Sequence, residues 1–111
     1  MVQEREEVAR RAFDGAYRRE CAAILNMART MASSAREPKD LWRIHEFLSE
    51  QRIATDNKYD YRYSVLVLVF ARLVREGWLS AEELAGLGEE KLEKIRMIWK
   101  GYEAVAGRRA R

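Results

Sequence analysis

The sequence predicts an all-α protein: a long antiparallel helical hairpin that forms a stalk and dimerises, with a small helical head beyond it. Three observations lead there. Proline occurs once in 111 residues, at Pro38, which leaves room for long helices, because proline breaks a helix interior. Phe13, Tyr17, Cys21, Ile24, Ala28 and Met31 recur at steps of three and four, the spacing of one helical face. The apolar run from Val65 continues past Arg72 to Val74 before Gly77 ends it, which is long for a strand between turn signals.

The first helix is expected from Gln3 to about Ser33. Leu25 and Ala32 widen its stripe, and charged residues such as Glu4, Arg11 and Arg18 fill the other side. Gly15 is tolerated inside it at about 1 kcal/mol. Ser33, Ser34 and Pro38 punctuate the end. About 30 residues of helix measure ~45 Å, whereas a compact domain of this size has a radius of gyration near ~13 Å. The chain folded as a ball could not cover such a helix. The second helix, from Pro38 to about Thr55, spans ~26 Å, and the short linker makes it antiparallel to the first. Part of the stripe stays bare, and a second copy related by a two-fold axis is the usual cover. Phe13, Tyr17 and Ile24 on the stripe are the candidate contacts of that homodimer. The alternative is an elongated monomer whose later helices fold back over the stripe.

Asp56 and Asn57 read as a turn. A third helix then carries Val65, Leu66, Val67, Leu68, Val69, Phe70, Leu73 and Val74, and Gly77 sits where a left-handed C-terminal residue belongs. Ser80-Ala81-Glu82-Glu83 reads as a capping box, the Ser80 side chain capping the Glu83 amide while Glu83 reaches back. Leu79 and Leu84 take the flanking staple positions. The helix it opens is short, ending near Gly86 and Gly88. A last helix from about Glu89 to Ala106 places Leu92, Ile95, Ile98, Trp99 and Tyr102 on one stripe. The expected organisation is a single structural unit made of a stalk over 1–57 and a distinct compact head over 58–111.

The composition excludes several function classes. Hydrophobic residues make up 48% and charged residues 35%, which is the balance of a folded chain rather than a disordered one. The net charge is +3, and Arg108, Arg109 and Arg111 at the tail equal that whole excess. The body is near neutral, which argues against a nucleic-acid footprint spread over the fold. The apolar run from Val65 to Ala71 is far short of the ~20 residues that a membrane span requires. A single cysteine, Cys21, forms no internal disulfide, so a reducing cytoplasm is expected. One histidine and one cysteine cannot assemble a zinc site of the usual spacing. Gly86-Leu87-Gly88 lacks the rest of any phosphate-binding loop. Cys21 on the apolar stripe reads as a small buried hydrophobe rather than a nucleophile. No enzyme activity and no cofactor are expected.

The second helix has two faces. At 100° per residue, Leu41, Ile44, Phe47 and Leu48 share a core side. Trp42, His45, Glu46, Ser49 and Arg52 share another arc of about 120°. A core helix has no use for tryptophan on its polar side, and Trp and Arg are the residues that anchor interfaces. The arc therefore reads as a recognition patch, with His45 and Glu46 an interface pair before they are an acid/base pair. Tyr59, Tyr61 and Tyr63 beside Arg62 could stack on bases. Tyrosines so placed more often pack against a neighbouring helix.

The run from Asp40 to Leu87 resembles the fluorescence recovery protein family of cyanobacterial photoprotection. The matching features include Leu41-Trp42, His45, Phe47-Leu48-Ser49, Arg52, Asp56, Lys58-Tyr59-Asp60, Arg62, Ser64-Val65, Val69-Phe70-Ala71, Glu76-Gly77 and Glu82-Glu83-Leu84. The resemblance implies an all-helical dimer with a stalk and a head. It implies a non-enzymatic regulator that binds the light-activated orange carotenoid protein, chiefly through its C-terminal domain. Such a regulator hastens reversion to the resting orange form and helps detach that protein from the phycobilisome antenna. By the same resemblance Trp42, His45, Glu46 and Arg52 form the partner surface, Leu25 and Leu41 contact the sister subunit, and Leu68 and Lys94 contact the partner from the head. Glu46 stands where the family carries Asp, and Leu68 where it carries an aromatic residue. The alternatives are a relative that binds a different protein, related to that C-terminal domain or not, or a small helical nucleic-acid-binding regulator.

Overall fold

The computed structural model describes residues 2–109, and side chains within 3–101. The expected Tyr102 end of the last stripe and the arginines at 108, 109 and 111 lie outside the described side chains. Four α-helices follow one another: α1 (Val2–Ser34), α2 (Pro38–Lys58), α3 (Leu66–Glu76) and α4 (Glu89–Arg109), with a 3-10 turn at Ala81–Leu84 between the last two. No strand occurs among the described residues. The molecule is elongated, 54 × 41 × 22 Å, with a radius of gyration of 17.0 Å.

α1 and α2 form the expected antiparallel hairpin: Tyr17, Cys21 and Ile24 line one groove with Leu48, Gln51, Arg52 and Thr55. Asp40 makes the sharp entry into α2. Its Oδ2 accepts the backbone N–H groups of Arg36 at 2.9 Å and Glu37 at 3.0 Å, satisfying donors that precede the first helical turn. Pro38 follows at the first helical position, where a missing N–H costs nothing.

The long apolar run is helical. Phe70, Leu73, Leu84 and Leu87 are the largest fully buried side chains, and Leu79 is buried beside them as a staple residue should be. α3 stops at Gly77, whose φ is 85°. Its N–H bonds the Val74 carbonyl at 3.1 Å and the Trp78 N–H bonds that of Leu73 at 3.0 Å, the double closure that a left-handed residue permits.

Two local expectations are corrected. Asp56 and Asn57 are not a turn; α2 runs on to Lys58, because Lys58 is drawn into ion pairs with the neighbouring helices. Ser80 makes no side-chain cap. Glu83 does not reach back to it but accepts a hydrogen bond from Arg19 of α1 at 2.9 Å, so a charge-assisted tertiary bond displaces the local box. The head and the stalk pack on each other. Ala9, Ala12, Phe13 and Ala16 of α1 share one core cluster with Val69, Phe70, Leu73, Leu79, Leu84, Leu87 and Ile95. The head folds back over the N-terminal half of the stripe, while α2 covers the C-terminal half only in part and leaves Leu25 and Ala32 exposed.

Candidate functional site

The outer face of α2 is the first candidate. The helix turns Ile44, Phe47, Gln51, Thr55 and Lys58 inward, where they are buried or half-buried. Trp42, His45, Glu46 and Ser49 therefore point away from α1, Arg52 flanks the groove between the two helices, and all five are exposed. Trp42 is 60% exposed. The His45 ring meets it edge to face, centroids 6.4 Å apart and planes at 81°. Such a pair holds the indole in one orientation without covering it. The Arg52 side chain is 84% exposed, its Nε 3.8 Å from Oδ2 of Asp56 one turn on. An exposed pair at that distance contributes little stability. It leaves the guanidinium fork available for a carboxylate of another molecule.

The sequence-predicted head residues are exposed too. Leu68 lies on α3, and Lys94 on α4 has its Nζ 3.5 Å from Glu90. Of the seam residues, Leu25, Leu41 and Tyr17 are exposed and Ile24 is half-buried. Leu48, expected inward with Ile44 and Phe47, is exposed with Leu41, so the α2 core face is only half covered within the chain. Phe13 is a correction. It is 8% exposed and meets Tyr59 and Tyr61 edge to face at 5.5 and 4.9 Å. Its apolar surface is largely spent inside the chain and leaves little for a contact between copies.

The tyrosines divide. Tyr59 packs on Phe13 and Tyr17 and donates its hydroxyl to Glu20 at 2.8 Å. Burial first, and then the Glu20 bond, push its phenol pKa far upward. Arg10 covers the Tyr61 ring at 3.8 Å. Neither ring offers a face to a nucleic-acid base. Tyr63 stays exposed, with Lys91 4.7 Å from its centroid.

Two features escaped the sequence reading. Ile53 is 63% exposed and lies within about 20° of Trp42 on the helical wheel. It already lay inside the expected helix, and the same helical arithmetic applied to it would have added it to the arc of Trp42. The other is a buried cluster of Lys58, Glu20, Tyr59 and Glu76. No local signal announces it, since Lys58 and Glu20 are 38 residues apart.

Comparison with known proteins agrees with this architecture. A family model described as photoprotection regulator fluorescence recovery protein matches residues 1–99. The fluorescence recovery protein of Synechocystis sp. is 43% identical over 86 residues, which cover 78% of this chain and 79% of that protein. The solved structure of the Fremyella diplosiphon protein is 48% identical, with a TM-score of 0.79 over 86% of this chain and 94% of that one. The solved Synechocystis structure is 40% identical, with a TM-score of 0.82 over 88% and 96%. An all-helical chain with this hairpin, this head and these relatives belongs to the fluorescence recovery protein family of photoprotection regulators.

Proposed function

We propose that this chain binds the light-activated orange carotenoid protein, chiefly through that protein's C-terminal domain, and accelerates its reversion to the resting form without itself being an enzyme. Family membership supports the reading, and the single observation that carries it is the uncovered Trp42 beside His45 and Arg52 on the outer face of α2. Leu68 and Lys94 extend the contact from the head. The bare seam of Leu25, Leu41 and Leu48 supports a homodimer in which a sister stalk covers it. The proposed stalk over 1–57 and head over 58–111 meet at the last residue of α2, Lys58.

The physical requirement is modest. A binder speeds reversion only by holding the transition state more tightly than the activated form. A tenfold acceleration needs about 1.4 kcal/mol of such preference. A desolvated tryptophan together with an arginine ion pair supplies that much.

The test is the recovery of a photoactivated orange carotenoid protein, followed by absorbance with and without this protein. The parent is expected to accelerate recovery. Arg52→Leu is expected to abolish the effect while circular dichroism and the dimer mass stay unchanged, since the side chain makes only a loose surface pair. Equal stimulation by Arg52→Leu and the parent rejects the patch. No stimulation by the parent rejects the partner and points to a different protein.

A further inference from the structure

Water hardly reaches Lys58. Its side chain is 8% exposed, and that of Glu20 is 12%. The Lys58 Nζ donates to Oε2 of Glu20 at 2.6 Å and to Oε1 of Glu76 at 2.7 Å. Glu20 belongs to α1, Lys58 ends α2 and Glu76 ends α3, so one ammonium ties three helices together. The other carboxylate oxygens are occupied as well. Tyr59 donates to Oε1 of Glu20 at 2.8 Å, and the Arg72 Nε donates to Oε2 of Glu76 at 2.9 Å.

A buried cluster of this kind is a poor source of net stability, because desolvating the charges offsets their attraction. What it supplies is direction, since charge-assisted bonds fix both distance and angle. The surroundings lack that quality. Around the single ring of Phe13, α1 offers the head Ala9, Ala12 and Ala16, all buried. Methyl groups form shallow ridges and resist sliding or rotation weakly. The bonds from Arg19 to the Trp78 carbonyl and Glu83 lie at the half-exposed rim.

We propose that Lys58, Glu20 and Glu76 are positioning residues that set the angle between stalk and head, so that Trp42 and Arg52 on α2 and Leu68 and Lys94 on the head meet one partner at the same time. The functional half of this inference rests on the proposed binding of the carotenoid protein. The geometric half does not.

The experiment measures the stalk-to-head distance directly. Spin labels are attached at Ser49→Cys and Met97→Cys, both exposed positions, in a Cys21→Ser background diluted with unlabelled chain. Pulsed electron resonance then reads the distance distribution. The parent is expected to give one narrow distance. Lys58→Met is expected to broaden it and to slow stimulated carotenoid recovery at least about tenfold, the scale of a small misplacement of contacting groups. Should Lys58→Met fail to fold, the charge-free Lys58→Met/Glu20→Gln/Glu76→Gln variant removes the uncompensated carboxylates. It is expected to melt near the parent yet show the same broadening. A narrow parent-like distance in the folded variant overturns the inference, as does a broadened distance with undiminished stimulation. If the parent itself does not stimulate recovery, the proposed partner fails and the distance measurement alone decides the positioning role.

Discussion

Glu76 shows how one residue's surroundings set its charge. Burial alone would raise its carboxyl pKa, but hydrogen bonds from Lys58 and Arg72 outweigh that and hold it below the ordinary value. The unfolded carboxyl titrates near pH ~4.3, so folding favours the ionised form. Its contribution is therefore complete above the unfolded pKa and lost as pH falls through the folded one. Urea unfolding at about pH 6 and about pH 3 is expected to show a Glu76→Gln deficit at the higher pH that shrinks at the lower. A deficit of equal size at both would reject the ionic account. The patch on α2 was legible because Trp42, His45, Glu46 and Arg52 lie within three turns of one helix, and that geometry is local. The Lys58 cluster was not, because its partners sit on other helices and no spacing along the chain encodes them.

Among the elements, α3 is the clearest case of pattern and stop signal agreeing. Its apolar run belongs to a helix because it continues over three turns and meets a glycine at the end. Gly77 holds φ at 85°, and a Cβ there would meet nothing within 4 Å. The strain of Gly77→Ala is therefore backbone strain alone, about 1–2 kcal/mol. Chemical denaturation is expected to show that loss, and Gly77→Asn to recover part of it, since Asn tolerates the left-handed region. A Gly77→Ala protein as stable as the parent would show that the closure of α3 is not under strain. The end of α2 and the Ser80 segment were misjudged for one reason. Asp56, Asn57 and Ser80 have turn and cap chemistry of their own, worth about 1 kcal/mol each. In the folded chain those local options go unused, because Lys58 pairs with Glu20 and Glu76 and Glu83 pairs with Arg19.

At the scale of the whole molecule, the long helix is covered twice by different means. Its N-terminal half lies under the head, while Leu25, Leu41 and Leu48 remain uncovered in a chain of 13.0 kDa. The parent is expected to give twice the chain mass by light scattering at micromolar concentration, and Leu25→Glu to give a folded monomer. A charge cannot be buried in an apolar seam without a partner. A Leu25→Glu dimer of undiminished affinity would place the contact between copies elsewhere. Among the described residues no helix is long and apolar enough to cross a membrane.

By itself the sequence determined the helices, their order and the polarity of their faces, because periodicity, proline and glycine act through bonds within one or two turns. It also determined which side of α2 carries an indole, an imidazole and a guanidinium. Only the tertiary structure decided that Phe13 is spent inside the head's core and that Glu83 answers to Arg19 rather than Ser80. It alone decided that a lysine at the end of α2 binds α1 and α3. Those outcomes depend on contacts between residues dozens of positions apart, and such contacts exist only once the chain has closed on itself.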